Sequence, residues 1–225
     1  MENGEIDIEI LTSMDGSSTI RRKDLFETYH SAFGALTETN LVYMDYAFKH
    51  WCTHNNSIKA NILEIGFGTG LNAIATMKHS SLSNVLYHTI EPFPLSTDII
   101  HKLNYGKLLG MEKEFESIHS CPWEKEEKIT PHFTIRKQQS TAQNTDYPDD
   151  FYDIVYFDAF SPDNELELWT ESLFSKIYKS MRNGAVLTTY CCKGTVKRLL
   201  KGSGFEIEKL NGPKGKREVL RAVKP

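Results

Sequence analysis

Short apolar runs alternate along the chain with segments in which apolar residues recur every three or four positions. The first pattern predicts β-strands and the second predicts helices. Strands are predicted at residues 61–65, 84–91, 132–137, 151–157 and 185–190, and helices at residues 71–78, 97–103 and 165–181. Because strands and helices follow one another in this way, we expect a parallel sheet with helices packed on its faces.

The longest of these predicted helices, residues 165–181, has apolar side chains at the spacing of one helical face. Asn183 and Gly184 follow it and predict its carboxyl-terminal cap. The residues expected to face the core are Leu166, Trp169, Leu173, Phe174 and Ile177.

The amino-terminal segment predicts a flank to this sheet. Residues 6–11 alternate apolar with acidic side chains and residues 18–22 follow Asp-Gly-Ser-Ser, which predicts a hairpin. Residues 41–52 have helical spacing. We therefore divide the chain into a hairpin and helical flank, residues 1–55, and a main domain, residues 56–225, with a mainly helical insertion at about 106–130. The two are expected to form one compact unit.

The carboxyl-terminal residues predict two further strands, 205–210 and 217–223, joined by Asn-Gly-Pro-Lys-Gly. This connection is typical of a hairpin, so the two strands are expected to be antiparallel. The predicted fold class is α/β and Rossmann-like, with a mostly parallel sheet and a terminal antiparallel hairpin. That combination is typical of S-adenosylmethionine-dependent methyltransferases rather than of dinucleotide-binding enzymes.

Three glycines at alternate positions, Gly66, Gly68 and Gly70, follow the first main strand. Glycine adopts positive φ and allows a ligand to approach the backbone, and the next helix begins with unpaired N–H groups. A dinucleotide site needs G-x-G-x-x-G, and here the third glycine comes one residue early. With Glu64 before it, the loop resembles motif I of S-adenosylmethionine-dependent methyltransferases. Glu91, about 20 residues further on, is the predicted ribose ligand; an ordinary strand-to-helix turn is the alternative.

Composition limits the class of protein. The 225 residues are 40% hydrophobic and 25% charged, and no apolar run approaches the roughly 20 residues of a membrane helix. The acidic start lacks the features of an export signal, so a cytoplasmic protein without membrane contact is expected. Of the four cysteines, Cys52 and Cys121 are isolated and Cys191 and Cys192 are adjacent, a pattern that predicts neither disulfides nor a C-x-x-C site. His50 and His54 have a metal-like spacing but no evident third ligand, so no metal is expected.

The net charge of −4 conceals a division along the chain. Residues 193–225 hold ten Lys or Arg and three Glu, so the excess of positive charge lies at the carboxyl end. Lys193, Lys197 and Lys201 repeat every fourth residue and would line one side of a helix. Such a stripe fits either a solvated surface helix or a face that binds RNA phosphates.

A chemically suggestive segment follows the fourth main strand, Asp158-Ala-Phe-Ser-Pro162. In doubly wound sheets, ligands lie beyond the carboxyl ends of the strands, so Asp158 should converge with the glycine loop and Glu91. Asp158 could orient an amine for attack on a methyl group, while Phe160 excludes water. The alternative is that Asp158 caps the next helix and Phe160 belongs to the core.

Several motifs together resemble the MnmC-like methyltransferase family. They are Tyr29-His-Ser31, Gly34-Ala-Leu-Thr-Glu-Thr39, Val42-Tyr43, Gly66-Phe-Gly-Thr-Gly-Leu-Asn72, Asp158-Ala-Phe-Ser-Pro162, Glu167-Leu-Trp-Thr170, Thr189-Tyr190, Gly194-Thr-Val-Lys-Arg198, Gly204-Phe205 and Gly215-Lys-Arg-Glu-Val-Leu220. The resemblance covers nearly the whole chain. Pro213-Lys214 and Cys191-Cys192-Lys193 depart from the family pattern.

The resemblance implies N-methylation of the 5-aminomethyl group on the modified wobble uridine of tRNA, which yields methylaminomethyl-(2-thio)uridine. S-adenosylmethionine is the implied donor and tRNA the implied partner. Many relatives carry a fused flavin-dependent oxidase. The 225 residues leave no room for one, so no flavin is expected here, and the aminomethyl substrate would come from another tRNA-modifying enzyme.

Residue roles are also implied by the resemblance. The cofactor-binding set is Glu64, Gly66, Phe67, Gly68, Gly70 and Asn72 at the methionine end, Glu91 at the ribose, Gln139 or Ser140 at the adenine, and Asp158 between the cofactor amine and the acceptor amine. Asp158 is also the catalytic candidate. The substrate-side candidates are Phe160, Tyr190, Lys216, Arg217, Tyr29 and Glu38, with Glu218 orienting the two cations.

Other functions fit parts of the sequence. A methyl or aminopropyl transferase acting on a small amine or a protein would use the same loop but would not need the basic carboxyl end. A non-catalytic RNA-binding protein of the same fold would not bind S-adenosylmethionine, and a nicotinamide enzyme would need the other glycine spacing. The tRNA species, the need for 2-thiolation and the oligomeric state are left open by the sequence.

Overall fold

A small antiparallel sheet begins the structure, a computed structural model that describes residues 7–55, 57, 59–80 and 84–225. Its strands are β1 (Ile8–Thr12), β2 (Ser18–Arg22) and β3 (Glu27–Thr28). Residues Ile10 and Ile20 face each other across the first pair, which confirms the predicted hairpin. The predicted first residue, Ile6, lies outside the described residues.

A continuous helical run follows, made of Ala35–Thr39, Asn40–Lys49 and His50–Asn55. The middle segment has the wider i→i+5 turns of a π-helix, which occur frequently at functional sites. Val42, Met44 and Ala47 on this segment are fully buried. The run includes the predicted helix at residues 41–52 and extends it in both directions.

The central sheet has eight strands. They are β4 (Lys59–Ile65), β5 (Asn84–Ile90), β6 (Glu126–Thr130), β7 (Phe133–Gln138), β8 (Tyr152–Phe157), β9 (Met181–Thr189), β10 (Glu206–Asn211) and β11 (Glu218–Val223). Their order is β10-β11-β9-β8-β4-β5-β7-β6. The five inner strands β7, β5, β4, β8 and β9 are parallel, and β10, β11 and β6 run antiparallel to their neighbours. The predicted fold class, with its terminal antiparallel hairpin, is confirmed.

Helices cover both faces of this sheet. The sheet therefore lies between two apolar cores. The helices after the glycine loop are Leu71–His79, Thr97–Ile100, Tyr105–Leu109, Glu112–Ser120, Glu171–Ser180 and Gly194–Gly202. The helical run at residues 35–55 packs on the face that carries Leu71–His79. The division of the chain at residue 55 stays a prediction.

Two predicted elements were wrong in part. The segment predicted as a mainly helical insertion at about 106–130 contains two helices, but its last residues form β6. This strand lies at the edge of the sheet and pairs only with β7. A strand with one partner and an exposed side does not need the apolar pattern that identifies inner strands, so its Glu and Lys content concealed it.

The helix predicted at residues 165–181 begins later and ends earlier. It spans Glu171–Ser180, because Thr170 serves as the N-cap and accepts a hydrogen bond from the Leu173 N–H. Leu166, predicted to be in the core, lies on a separate short turn and is 69% exposed. Gly184 is not a helix cap: it lies within β9 at φ 78°, where the pairing with β8 is irregular.

Candidate active site

A cleft opens at the carboxyl ends of β4, β5 and β8, as parallel sheets of this class predict. It encloses about 1070 Å³ that no protein atom fills, part of it open to solvent. Eight of the residues singled out from the sequence line it: Tyr29, Gly66, Phe67, Gly68, Glu91, Asp158, Phe160 and Tyr190. Glu38, Glu64, Gly70, Asn72, Gln139, Lys216 and Arg217 lie outside this lining.

The glycine loop has the backbone conformation that its sequence predicted. Gly66, Gly68 and Gly70 all have positive φ, at 92°, 48° and 72°. A Cβ on Gly66 would lie 2.5 Å from the carbonyl oxygen of Asp158, so only glycine lets β4 and β8 approach this closely at their ends. A Cβ on Gly70 would lie 2.7 Å from Nε2 of His119. Gly70 thus serves packing behind the loop, and its contact with a cofactor stays a prediction.

Asp158 is held from both sides by hydrogen bonds. The Tyr43 hydroxyl donates to Oδ1 and the Asn72 amide donates to Oδ2, each at 2.7 Å. Burial raises the pKa of Asp158 to about 6, while the two donors act in the opposite direction because they stabilise the carboxylate. The alternative role of Asp158 as a helix cap does not fit, because both oxygens are engaged by these side chains. Asn72 reaches the cleft only through Asp158.

Glu91 closes the glycine loop on the other side. Its Oε2 accepts a hydrogen bond from the Gly68 N–H at 3.0 Å and its Oε1 accepts one from the Phe93 N–H at 2.9 Å. Burial raises the pKa of Glu91, and these two backbone donors oppose that shift. The carboxylate lines the cleft, where it is positioned to receive hydroxyl groups.

Glu64 lies behind the loop rather than in the cleft. It is fully buried, and its Oε2 accepts a hydrogen bond of 2.7 Å from Thr89. Oε1 has no partner among the described residues. Burial raises the pKa of Glu64 to about 8, so the group is neutral at pH 7. Its predicted contact with the methionine end stays a prediction.

The loop after β7, predicted to contact the adenine, lines the cleft slightly further along the chain than Gln139 and Ser140. The loop after β7 contributes Thr141, Ala142 and Gln143 to the lining, whereas Gln139 and Ser140 do not line it. The backbone N–H of Gln139 instead donates to Glu124 at 2.7 Å. The alternation of faces holds only within a strand. It therefore does not predict which residue of the following loop reaches the cleft.

The opposite wall joins the amino-terminal sheet to the loop after β8. The carboxylate of Glu27 accepts hydrogen bonds from the Ser161 N–H, from its hydroxyl and from the Tyr190 hydroxyl. The Tyr190 hydroxyl also contacts the carbonyl oxygen of Ala159 at 2.9 Å. Phe160 is half-buried, and its ring packs edge-on against Tyr29 with 5.0 Å between the ring centroids. Phe160 therefore belongs to the wall of the cleft rather than to the core.

The two predicted RNA-contacting cations point in different directions. The Lys216 ammonium forms an ion pair with buried Glu38 and lies 4.0 Å from the centre of the Tyr190 ring. Arg217 is exposed. Glu218 pairs with Lys197 and Lys209, at 3.5 and 3.7 Å, rather than with either predicted partner. The RNA contacts of Lys216 and Arg217 stay predictions.

The cleft is acidic. Asp158, Glu91, Glu165 and Glu167 line it, against the single cation Arg22 among the described lining residues. Burial raises the pKa of Glu165 to about 7, and the nearby Glu91 adds to that shift. A cleft of this charge favours a cationic ligand such as a sulfonium.

Three site residues were missed from the sequence. Tyr43 lies within residues 41–52, for which the sequence predicted only a helix, and Glu27 and Glu165 carried no motif. Tyr43 belongs to the quoted Val42-Tyr43 motif, which was the one signal that could have identified it. Tertiary contacts alone bring Glu165 into the cleft lining and bring Glu27 against Tyr190 of the cleft wall.

Two further observations bear on ligands and location. In the part of the chain that the structure describes, His, Cys, Asp and Glu side chains do not gather in groups of three or more that could hold a metal ion. None of the helices within the described ranges combines the length and apolar character needed to cross a bilayer.

A family model described as S-adenosyl-L-methionine-dependent methyltransferase matches residues 122–225. These residues include Asp158 and the carboxyl-terminal hairpin but not the glycine loop. The description names the predicted cofactor and confirms that prediction.

Curated relatives match nearly the whole chain. A protein of Actinobacillus pleuropneumoniae serotype 5b, named tRNA 5-methylaminomethyl-2-thiouridine biosynthesis bifunctional protein MnmC, is 27% identical over 95% of this chain and 35% of its own length. Proteins of the same name from Pseudoalteromonas atlantica and Leptospira interrogans are 26% and 28% identical over 96% and 86% of this chain. The chain therefore spans about a third of the length of these relatives.

A solved structure of MnmC2 from Aquifex aeolicus superposes with a TM-score of 0.81 at 23% sequence identity. The match covers 99% of this chain and 72% of the other. It shows that the two share a fold, including the elements that border the cleft. The resemblance inferred from the motifs is confirmed by these comparisons together.

Proposed function

We propose that this chain, an MnmC-like methyltransferase by sequence and by fold, methylates the amine of a 5-aminomethyl group on the modified wobble uridine of tRNA. The observation that carries the proposal is the clamped carboxylate of Asp158, held by Tyr43 and Asn72 at the edge of the glycine loop. The names of the curated relatives supply the substrate class. The structure by itself supports a cleft for a cationic methyl donor and an amine acceptor.

The residues present fit S-adenosylmethionine. Gly66 and Gly68 let the loop lie against Asp158 and Tyr29, where a Cβ would clash, so the loop borders the cleft closely. Glu91 offers carboxylate oxygens to ribose hydroxyls, and Thr141 with Ala142 borders the proposed adenine end. The acidic lining complements the positive charge of the sulfonium. When bound, this cofactor supplies an electrophilic methyl group whose transfer leaves the bonding electron pair on sulfur.

Asp158 acts on the acceptor amine. An alkyl ammonium has no lone pair, so the amine must be neutral before it attacks. A carboxylate within hydrogen-bond reach can align the amine and receive a proton. Because both Asp158 oxygens already accept one hydrogen bond, their direction is set before substrate arrives, and the remaining lone pairs are available to the amine.

The aromatic wall around this carboxylate restricts water. Tyr190, held by Glu27 and Ala159, and Phe160, packed on Tyr29, border the acceptor side of the cleft. A fixed wall of this kind favours a planar ring such as a uracil base. We assign the acceptor base to this side.

Transfer to tRNA is tested by incubating the protein with S-adenosylmethionine and tRNA that carries the aminomethyl nucleoside, followed by nucleoside mass spectrometry. We expect conversion to the methylaminomethyl nucleoside by the wild type. Asp158→Ala should reduce the rate about 10²- to 10⁴-fold, the usual contribution of acid–base catalysis, while S-adenosylmethionine still binds.

The outcomes separate the possibilities. Binding of S-adenosylmethionine without methylation of this tRNA would refute the substrate and leave the cofactor site intact. An unchanged rate in Asp158→Ala would refute the assigned role of that residue. In a deletion strain, accumulation of the aminomethyl nucleoside in tRNA would support both the substrate and a cytoplasmic site of action.

The proposed substrate requires an enzyme that leaves a free aminomethyl group on the uridine. We propose that another tRNA-modifying activity supplies it. Mixing this chain with tRNA that still carries a substituted amine should give no methylation until such an enzyme is added.

A further inference from the structure

The partly exposed side chain of Phe33 packs against the basic loop, residues 212–217, that joins β10 to β11. The ring of Phe33 is in direct contact with this loop, because a Cβ added to Gly215 would clash with it. Gly215 has φ 90°, so both the conformation and the close approach require glycine here. Phe33 remains 48% exposed, although one side of it is covered by the loop.

Phe33 is close to the acceptor side of the cleft through a short chain of contacts. The Phe33 N–H donates to the Ser31 hydroxyl, and the Ser31 N–H donates to Glu38. Glu38 is the partner of Lys216, whose ammonium lies over the ring of Tyr190. Tyr190 lines the cleft, so the exposed ring is linked to the proposed acceptor site through Ser31, Glu38 and Lys216.

Two exposed cations lie in the loop that this ring contacts. Lys214 and Arg217, in the same loop, are exposed, and neither forms an ion pair with a carboxylate among residues 7–55, 57, 59–80 and 84–225. Lys197 and Lys209, by contrast, pair with Glu218. Phe33 thus packs on a loop in which Lys214 and Arg217, one residue before and two residues after Gly215, are exposed cations.

This combination matches the chemistry of single-stranded nucleic acid. Unpaired bases of RNA loops stack on aromatic side chains, and cations beside the ring follow the phosphates. Duplex RNA offers no free base face to such a ring.

We propose that Phe33 stacks on a nucleobase next to the acceptor nucleotide, while Lys214 and Arg217 bind the adjoining phosphates. The occupant is the single-stranded anticodon loop of the RNA substrate. This inference rests on the proposed function and adds to it the surface that holds the neighbouring nucleotide. None of the three residues touches the reacting atoms, so their effect is on binding.

The test uses a fluorescent anticodon stem-loop RNA without the modified base, titrated by anisotropy at several salt concentrations. Phe33→Ala should weaken binding about 5- to 150-fold, the range for loss of one stacked base, with an unchanged dependence on salt. Phe33→Trp should restore binding. Lys214→Ala combined with Arg217→Ala should instead reduce the salt slope by about 0.7 for each cation removed.

Leu108→Ala is the matched control. Leu108 is an apolar residue of similar exposure, 44%, on the helix Tyr105–Leu109, and its truncation should leave binding unchanged. The proposal is overturned if Phe33→Ala binds like the wild type, if Phe33→Trp is as weak as Phe33→Ala, or if duplex RNA competes as well as the stem-loop. Thermal unfolding of each variant identifies any loss of folding.

Parallel methylation assays separate this inference from the proposed function. Tight, Phe33-dependent RNA binding without methylation would support the surface and refute the proposed reaction. Methylation of tRNA with the same KM in wild type and Phe33→Ala would support the reaction and refute the surface. A raised KM for tRNA with unchanged kcat in Phe33→Ala is the result we expect.

Discussion

The hydroxyl of Tyr43 donates a 2.7 Å hydrogen bond to Oδ1 of Asp158, across 115 positions of sequence. Tyr43 lies on the π-helical segment Asn40–Lys49 and is almost completely buried. Asp158 follows the end of β8. The amino-terminal helix therefore completes a site whose other parts come from the central sheet, and it does so at the carboxylate that we assign to the acceptor amine.

Removal of this hydroxyl should change the pH dependence of the reaction. The Tyr43 hydrogen bond lowers the pKa of Asp158, which burial raises to about 6. Tyr43→Phe should therefore raise this pKa further, by about one to two units if the bond has the usual strength of one to a charged group. The acidic limb of the kcat/KM profile should move to higher pH, because more Asp158 is protonated near neutrality.

Tyr46→Phe is a suitable control for that measurement. The Tyr46 hydroxyl is also bonded, to the carbonyl oxygen of Asn211 at 3.0 Å, but it does not contact Asp158. Its profile should match that of the wild type. Coincident acidic limbs in Tyr43→Phe and the wild type would contradict the proposed dependence of activity on Asp158 ionisation.

Gly66 should tolerate no side chain. In Gly66→Ala the new Cβ would lie 2.5 Å from the Asp158 carbonyl oxygen. The backbone of Asp158 cannot move away without displacing the end of β8, which pairs with β4. Gly16→Ala adds a Cβ at a similar φ, 83°, with no atom within 4 Å. Urea denaturation should show a loss of about 1–2 kcal/mol for Gly16→Ala, the cost of left-handed backbone, and a larger loss for Gly66→Ala.

The same pair of variants separates strain from binding. Gly66→Ala should also lose S-adenosylmethionine binding in calorimetry, whereas Gly16→Ala should keep it. Equal stability losses in the two variants would mean that the close approach of β4 and β8 does not depend on Gly66.

Glu91→Gln should weaken cofactor binding. The amide keeps one acceptor oxygen, but its NH₂ group faces the N–H donors of Gly68 or Phe93 that the carboxylate now accepts. Hydrogen bonds to a charged group contribute about 1.5–3 kcal/mol, so the dissociation constant for S-adenosylmethionine should rise at least about 10-fold by calorimetry. Glu206→Gln, at an exposed position outside the cleft lining, should bind like the wild type, and equal affinities in all three proteins would exclude the ribose assignment.

Glu64→Gln should change how stability depends on pH. The unfolded chain releases the Glu64 proton near its ordinary pKa of 4.5, whereas burial raises the pKa in the folded protein to about 8. Between these values only the folded state holds the proton, so the free energy of unfolding falls as pH rises. Glutamine carries no such proton, and its unfolding free energy should fall less between about pH 5 and about pH 8. Parallel urea titrations measure the difference, and identical slopes would show that Glu64 is ionised in the folded protein.

Much of the cleft was visible in the sequence because it obeys local rules. Gly66, Glu91 and Asp158 each follow an apolar strand, and parallel strands bring their carboxyl ends to one edge of the sheet. The positive φ angles of the loop follow from the glycine spacing. The wrong predictions concern segments whose local pattern is weak. The polar edge strand β6 was predicted as part of a helical insertion, and Gly184, in the irregular part of β9, was predicted as a helix cap.

The sequence alone determined which strands and turns form and which residues follow them, because hydrophobic period and glycine placement act over a few positions. Only the tertiary structure decided that Tyr43 and Asn72 clamp Asp158, that Glu27 holds Tyr190, and that Lys216 turns inward while Arg217 stays exposed. Those contacts join residues that are tens to more than a hundred positions apart. Their partners are chosen by the packing of the helical run and the hairpins against the sheet, which no local pattern encodes.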